Sequence, residues 1–264
     1  MPEEAQRRWV DSMSEVYDRW LAPTVFRPFA VELARRVAVR RPQRLLEVAA
    51  GTGVLTRELL ATGTVDVTAT DLNEAMVEFG RRSVPGATWR QADALGLPFD
   101  DGRFDVVACQ FGVMFFPDKP AAHAEARRVL EPGGSLFLAT WGPLDGHDFE
   151  VAVTAGLDRI FPDDPPRFLH SVPHGYADLA VVVADLRAGG LDVVSAETVT
   201  VEGRAASAAD LATGYCTGTP LRAEIDARGD LTAAISAVAE ELERRFGSGP
   251  MVGRMTAHVV EAVR

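Results

Sequence analysis

The stretch Leu45 to Leu60, LLEVAAGTGVLTRELL, changes character halfway along. Leu45, Leu46 and Val48 form a short apolar run after Pro42 and read as a buried strand. Val54 to Leu60 carries helix formers with apolar residues at helical spacing. The turn between them is a strand-to-helix junction that follows an acidic residue, Glu47, with small residues and two glycines. Gly51 and Gly53 allow positive φ and put no Cβ in the way of an approaching group. The junction therefore reads as a ligand loop.

Working outward, strand and helix patterns alternate with short connections as far as Thr140. RLLEVA is followed by a helix, VDVTATD by the helix NEAMVEFGRRS, ATWRQAD by a loop, FDVVACQF by the helix KPAAHAEARRVL, and GSLFLATW closes the run. Such alternation specifies an α/β fold with a parallel sheet covered by helices on both faces. FDDGRF at 99–104 reads as a tight turn, and EPGG at 131–134 as a helix stop before the next strand. On the N-terminal side two helices are expected. Trp9, Met13, Val16, Tyr17 and Trp20 share one face of the first, and Phe26, Phe29, Ala30, Leu33 and Val37 one face of the second. After the core, a Pro- and Asp-rich excursion runs to about residue 178. Then come a helix with a glycine stop (ADLAVVVADLRAGG), a strand (LDVVSAETVTVEG), a helical insertion over roughly 207–246 and a final strand (GRMTAHVVEAVR).

Composition narrows the function classes. The 264 residues, 47% hydrophobic, suffice for one full core, and the whole of 1–264 reads as a single domain. No run of about 18 apolar residues exists to span a membrane. The N-terminus MPEEAQRRWV lacks the apolar segment of a secretory signal, which predicts a cytoplasmic protein. Cys109 and Cys216 have no metal-ligand neighbours in sequence and read as two buried thiols, and no metal site is expected. The formal charge of −11 and the lack of a long basic run argue against nucleic acid. A small-molecule partner is the expectation, with the oligomeric state open.

A dinucleotide fingerprint fails in the loop because its third glycine position is Thr56, and a Walker loop fails because no Gly-Lys-Ser/Thr follows. What remains is Glu47-x-Ala49-x-Gly51-x-Gly53. With LLEVAAGTG, the stretches VTATDLNEAMVEFG, QADALGLPFDDGRFDVVACQFGVMFF and EARRVLEPGGSLFLATW stand in an order and spacing that resemble the class I S-adenosylmethionine-dependent methyltransferases. The ubiquinone/menaquinone-biosynthesis type of small-molecule methyltransferase is the most similar. The resemblance implies a Rossmann-like, doubly wound, mostly parallel seven-stranded sheet with helical lid insertions: a lid over 1–40, a cofactor core over 41–141, and the acceptor pocket with the remaining strands over 142–264.

It also implies S-adenosylmethionine as cofactor, and the chemistry of that molecule suits the residue types. Asp71, ending the second strand, is suited to accept from both ribose hydroxyls, the alternative being a plain cap of the next helix. Asp93 is suited to the adenine amino group and the Ala94 amide to a ring nitrogen. Leu72, Met76 and Leu95 are placed to sandwich the ring. Gly51 and Thr52 face the amino-acid tail, with Ala49 and Gly53 completing the loop, and the Gln110 backbone faces the ammonium or sulfonium. Glu47 is expected to organise the loop, either reaching the cofactor through water or accepting backbone N–H bonds.

A sulfonium methyl needs an acceptor placed in line with it, and a general base only where the acceptor must lose a proton. His123 and His258 read as structural. His174, in RFLHSVPHGY, is the candidate base, and Tyr17, Phe111, Phe115, His147, His170 and Tyr176 are candidates to line the acceptor pocket. The expected reaction is methyl transfer to oxygen, nitrogen or carbon of a small molecule. The same fold can also bind the cofactor for another reaction, such as cyclisation, or serve as an interaction module.

Overall fold

The computed structural model of the chain describes residues 13–63 and 65–264. The fold divides into two compact units. One comprises Phe29–Trp141, Tyr176–Val199 and Ala257–Arg264; the other comprises the described residues up to Pro28, Gly142–Gly175 and Thr200–Thr256.

The first unit is built on the sheet. Its strands are β1 (Arg44–Val48), β2 (Asp66–Asp71), β3 (Thr88–Gln91), β4 (Phe104–Gln110), β5 (Leu130–Trp141), β6 (Asp192–Ala205) and β7 (Met251–Val263), the last two continuing into the second unit. They lie in the order β3-β2-β1-β4-β5-β7-β6. β1 pairs in parallel with both β2 and β4, and β7 runs antiparallel to β5, from Ser135 opposite Val263 to Trp141 opposite Ala257. From β1 the chain goes one way to β2 and β3 and then returns to the other side for β4. The switch in strand order thus falls at the carboxyl ends of β1 and β4, where open α/β sheets bind ligands. Leu45, Leu46, Val107 and Ala108 are fully shielded from water. Burying such a side chain is worth roughly 1.5–3 kcal/mol for the larger ones, which explains why the central strands read as unbroken apolar runs.

The helices around the sheet are α1 (Arg27–Val39), α2 (Val54–Ala61), α3 (Glu74–Ser83), α4 (Lys119–Val129) and α6 (Leu179–Ala188). Asn73, whose side chain accepts from the Ala75 amide, caps α3, and Asp118 caps α4 through the Ala121 amide. Trp89 on β3 fixes the packing beneath α3. Its indole donates to the Val84 carbonyl at 3.1 Å, and a Cβ on Gly80 would stand 2.2 Å from its ring.

The second unit is mostly helical: α5 (Asp148–Ile160), α7 (Ala208–Gly218), α8 (Leu221–Asp226), α9 (Leu231–Phe246) and a single turn at Phe168–Ser171. α5 and α9 approach closely because Gly156 has no side chain; a Cβ there would meet the Val238 backbone at 2.8 Å.

Two details differ from the sequence expectation. The N-terminal helices are one continuous helical run over 13–39, with a wide-turned π segment at Tyr17–Phe26 that contains Pro23. A proline in a helix lacks the N–H donor and crowds the carbonyl four residues back, and a widened turn accommodates it without ending the helix. Trp9 lies outside the described residues. The EPGG stretch, expected as a stop before the strand, lies within β5. Leu130 already pairs with Phe104, and the register slips before Val106 meets Ser135. Gly133, at φ +82°, takes up the extra length as a bulge.

Candidate active site

The loop after β1 is wound through left-handed conformations: Ala49 at φ +56°, Gly51 at +56° and Gly53 at +86°. For Ala49 this is a strained choice, and it is matched by Phe111 at φ +55°, just beyond β4. Strain of this kind is retained where the surroundings fix it, typically at ligand sites. Here the fixing contacts are visible. The Ala50 amide donates to the Thr70 carbonyl at 2.8 Å, the Gly53 amide to the Ala50 carbonyl at 2.9 Å, and the Phe111 amide to the Ala139 carbonyl at 2.9 Å. A Cβ on Gly112 would lie 2.4 Å from the Ala49 Cβ, so the β4 loop closes tightly on the β1 loop.

Asp71 ties the β1 loop to the end of β2. One carboxylate oxygen accepts from the Gly51 amide at 2.8 Å and the other from the Asn73 amide at 2.9 Å. A carboxylate offers about four acceptor positions, so the backbone amides do not exhaust it and capacity remains for hydroxyl groups. Burial raises its pKa and the backbone amides oppose that shift. The helix cap is Asn73, which leaves Asp71 free of that duty.

Glu47 is almost fully buried, and its Oε2 accepts from the Thr56 hydroxyl at 2.6 Å. Thr56, excluded as a glycine in the sequence reading, is thus the partner that anchors the acid. Desolvation pushes the Glu47 carboxyl up to about 8.

Thr52 is fully buried and its hydroxyl has no hydrogen-bond partner among the described residues. No atom lies within 4 Å of the position a Cβ on Gly51 would take. An orphaned hydroxyl beside an open glycine fits a ligand's polar tail, since a buried hydroxyl left unpaired costs roughly 1–3 kcal/mol.

Of the residues expected to meet the adenine, Asp93 is exposed and folds into a tight turn, accepting from the Leu95 amide at 2.9 Å, while the Gly96 amide donates to its carbonyl at 3.1 Å. Ala94 is buried, Leu95 and Met76 are half-buried, and Leu72 is 66% exposed. The Gln91 side chain donates to the Leu72 carbonyl at 2.9 Å and so holds that residue's backbone at the strand end. Gln110 ends β4. Phe111 stacks on Trp141 with ring centroids 3.4 Å apart, Phe29 meets both edge-on, and Phe115 is 54% exposed. Tyr176, also in the sheet unit, is buried and donates to Asp185 at 2.7 Å, beneath the Lys119 ammonium. Both cysteines are buried free thiols, each pushed up to about 12 by desolvation.

The remaining candidates belong to the helical unit. Tyr17 packs on Phe26, ring centroids 4.7 Å apart, and His170 is exposed on the Phe168–Ser171 turn. His174 is buried: Nδ1 lies 2.7 Å from the Gly142 carbonyl and Nε2 lies 2.6 Å from the Glu150 carboxylate. His147 is also buried, with Nδ1 3.2 Å from the same Glu150 oxygen and Nε2 3.4 Å from the Thr256 hydroxyl. The Tyr215 hydroxyl donates to the other Glu150 oxygen at 3.1 Å. Glu150 and Tyr215 escaped the sequence reading. His-x-x-Glu at the start of a helix was the available signal, since that spacing puts both side chains on one face. The sequence reading expected no metal site; in the fold His147, Glu150 and His174 nonetheless bring three potential ligand atoms within 4.8 Å of one another.

His123 and His258 behave structurally. His123 is buried on α4, held near 4 by desolvation, and its Nε2 has no partner among the described residues. His258 sits between the Thr198 hydroxyl and the Ala177 carbonyl.

A sheet in the order 3-2-1-4-5-7-6 with its last strand reversed, carrying a strained glycine loop and an acid at the end of β2, defines a class I S-adenosylmethionine-dependent methyltransferase. A family model described as a methyltransferase domain matches residues 46–138. The chain is 32% identical to the demethylmenaquinone methyltransferase of Clavibacter sepedonicus over 72% of this chain and 83% of that one. It is also 32% identical to the ubiquinone/menaquinone biosynthesis C-methyltransferase UbiE of Cupriavidus metallidurans over 70% of this chain and 82% of that one. The chain therefore belongs to this family, on its ubiquinone/menaquinone-biosynthesis-like branch. Among solved structures, the YcgJ protein of Bacillus subtilis superposes with a TM-score of 0.54 at 17% identity, covering 88% of this chain and 97% of that one, a likeness of fold. The protein is thus an S-adenosylmethionine-dependent enzyme of small-molecule methylation. No described helix is long and apolar enough to cross a membrane.

Proposed function

We infer that this chain methylates a small aromatic acceptor of the ring class named for its quinone-methylating relatives. The observation that carries the cofactor half of this reading is the buried Thr52 hydroxyl without a partner, beside the open Gly51. When bound, S-adenosylmethionine supplies an electrophilic methyl group on a sulfonium. The chain's residues bind and orient it. Asp71 accepts the ribose hydroxyls with its remaining acceptor capacity while Gly51, Gly53 and Ala49 hold the loop. Thr52 receives the amino-acid tail, the Gln110 backbone faces the positive end, and Glu47 braces the loop through Thr56. Asp93 and the Ala94 amide read the adenine edge between Leu72, Met76 and Leu95.

The exposed ring of Phe115 and the strained Phe111, both just beyond β4, favour a flat, partly apolar acceptor. Tyr17, His147, His170 and Tyr176 are not needed for this assignment. No proton-transfer step is given to His174, because both of its ring nitrogens are engaged. Orientation suffices for most of the acceleration, with effective molarities corresponding to roughly 7–11 kcal/mol.

Incubation with labelled S-adenosylmethionine and a panel of quinols, phenols and amines tests the reading. Release of S-adenosylhomocysteine together with a methylated ring product is the expected result. Turnover of amines alone would overturn the acceptor class, and cofactor binding without methyl transfer to any acceptor would overturn the reaction.

A further inference from the structure

The helical unit holds a second cluster that the methyl-transfer reading does not use. His147 Nδ1 and His174 Nε2 both lie close to one oxygen of Glu150, at 3.2 Å and 2.6 Å. The far nitrogen of each ring is also engaged, His174 Nδ1 with the Gly142 carbonyl at 2.7 Å and His147 Nε2 with the Thr256 hydroxyl at 3.4 Å. A backbone carbonyl can only accept, so His174 Nδ1 carries a proton. In the neutral ring Nε2 then turns a lone pair toward the carboxylate. The same holds for His147 when its Nε2–H donates to Thr256. Three acceptors would then converge on one buried point, which is repulsive unless a positive charge sits between them. Rings fixed through the far nitrogen by a carbonyl or hydroxyl are how proteins orient imidazoles that bind metal. The carboxylate is oriented in the same way, by the Tyr215 hydroxyl on its other oxygen at 3.1 Å.

The surrounding backbone keeps these partners in place. The Gly142 amide donates to the Thr256 carbonyl at 3.0 Å. A Cβ on either Gly142 or Gly146 would lie 2.4 Å from the Thr256 hydroxyl oxygen. Both glycines are therefore needed for Thr256 to reach His147.

We propose that His147, Glu150 and His174 bind a divalent first-row transition ion of the zinc type. Two imidazoles and one carboxylate form a borderline N/O set suited to tetrahedral zinc, leaving one position for water. Ligand bonds of about 2.0–2.2 Å at tetrahedral angles put the ligand atoms roughly 3.3 Å apart. The His147–Glu150 separation of 3.2 Å already matches. The His174–Glu150 contact of 2.6 Å opens by about 0.7 Å when the ion replaces the proton that bridges the pair, and that proton leaves to solvent. The ion cross-links α5 to the 172–175 segment within one unit.

The test uses the full chain, loaded with Zn2+ at neutral pH, desalted and analysed for metal by mass spectrometry, with Co2+ as a spectroscopic probe. About one zinc per chain, a rise in Tm on loading and the intense visible bands of tetrahedral Co2+ are expected. His147→Ala and Glu150→Gln should each lose the retained metal and the Tm rise. The cobalt spectrum is read on the wild-type chain, so poor folding of a variant does not blunt the test. Folded wild-type chain that retains no zinc, gains no Tm and gives only the pale spectrum of octahedral cobalt would overturn the proposal and leave the bridging proton as the occupant. S-adenosylhomocysteine binding, measured on the same samples, reports separately on the methyltransferase site.

Discussion

The sheet unit and the helical unit handle buried polar groups in opposite ways. In the sheet unit polar groups at the strand ends keep unused capacity: among the described residues Asp71 is met only by backbone amides, which leave its carboxylate room to accept more, and the Thr52 hydroxyl has no partner. In the helical unit they turn on one another, with Glu150 taking contacts from His147, His174 and Tyr215. Unused capacity in a rigid frame marks a place for an organic ligand. Convergence of several groups on one point marks a place for a proton or a metal ion. The two units therefore respond differently to substitution.

The largest effect is expected in the helical unit. Glu150→Ala removes the carboxylate that His174 and the Tyr215 hydroxyl share, and breaking a buried pair of this kind costs roughly 3–5 kcal/mol. Chemical denaturation should register the loss, while the folded fraction still binds S-adenosylhomocysteine as the wild type does. A matching loss of affinity in folded molecules would break the distinction between the units.

The next effect belongs to Glu47 and depends on pH. Its carboxyl is held up to about 8 in the folded chain against a usual value of 4.5. The folded state therefore keeps a proton that the unfolded state releases, and the stabilisation present below about 4.5 is lost as the pH rises through about 8. The change is on the order of a few kcal/mol, at about 1.4 kcal/mol for each unit of displacement. Glu47→Gln mimics the protonated acid and should flatten this part of the stability profile. An unchanged slope in the variant would mean that Glu47 is already ionised at neutral pH.

Gly112→Ala sharpens the comparison from the sheet side. The new Cβ would meet the Ala49 Cβ at 2.4 Å, and overpacking of this kind costs roughly 1–3 kcal/mol. Because the clash falls on the strained loop, S-adenosylhomocysteine affinity should fall along with Tm. A drop in Tm with affinity intact would show that Ala49 is remote from the ligand. The smallest effect is expected at Leu72, which is 66% exposed. Leu72→Ala should leave stability within about 0.5 kcal/mol and weaken S-adenosylhomocysteine binding a few-fold, through roughly 1 kcal/mol of lost apolar contact.

The same contrast explains what could be read in the chain. The glycine loop and Asp71 lie within one β-α-β unit, so the short motifs that carry the methyltransferase resemblance, with the chemistry of the ligand it implies, were enough to bring them together. The seven strands were legible from apolar runs and turn residues. The metal-capable cluster was legible only in its His-x-x-Glu spacing, because the contacts that support it join Glu150 to Tyr215 across 65 positions and His147 to Thr256 across 109. No local period carries such pairings. Two N-terminal helices were expected from two apolar faces, and the continuous run was not legible because a widened turn carries Pro23 where a straight α-helix would not. The grip of Trp89 on Gly80 was hidden for a further reason: a glycine inside a helix shows only that space is scarce, not what fills it.

The reading of the sheet unit as the cofactor site rests above all on Asp71. Calorimetric titration of S-adenosylhomocysteine into the wild-type chain and into Asp71→Asn and Asp71→Ala tests it directly. Hydrogen bonds to a charged group contribute about 1.5–3 kcal/mol each, so loss of both ribose contacts in Asp71→Ala should lower affinity by roughly a hundredfold or more, and Asp71→Asn, which keeps one acceptor oxygen, should lose less. Equal affinity in all three folded proteins, or no heat with the wild type, would contradict the account.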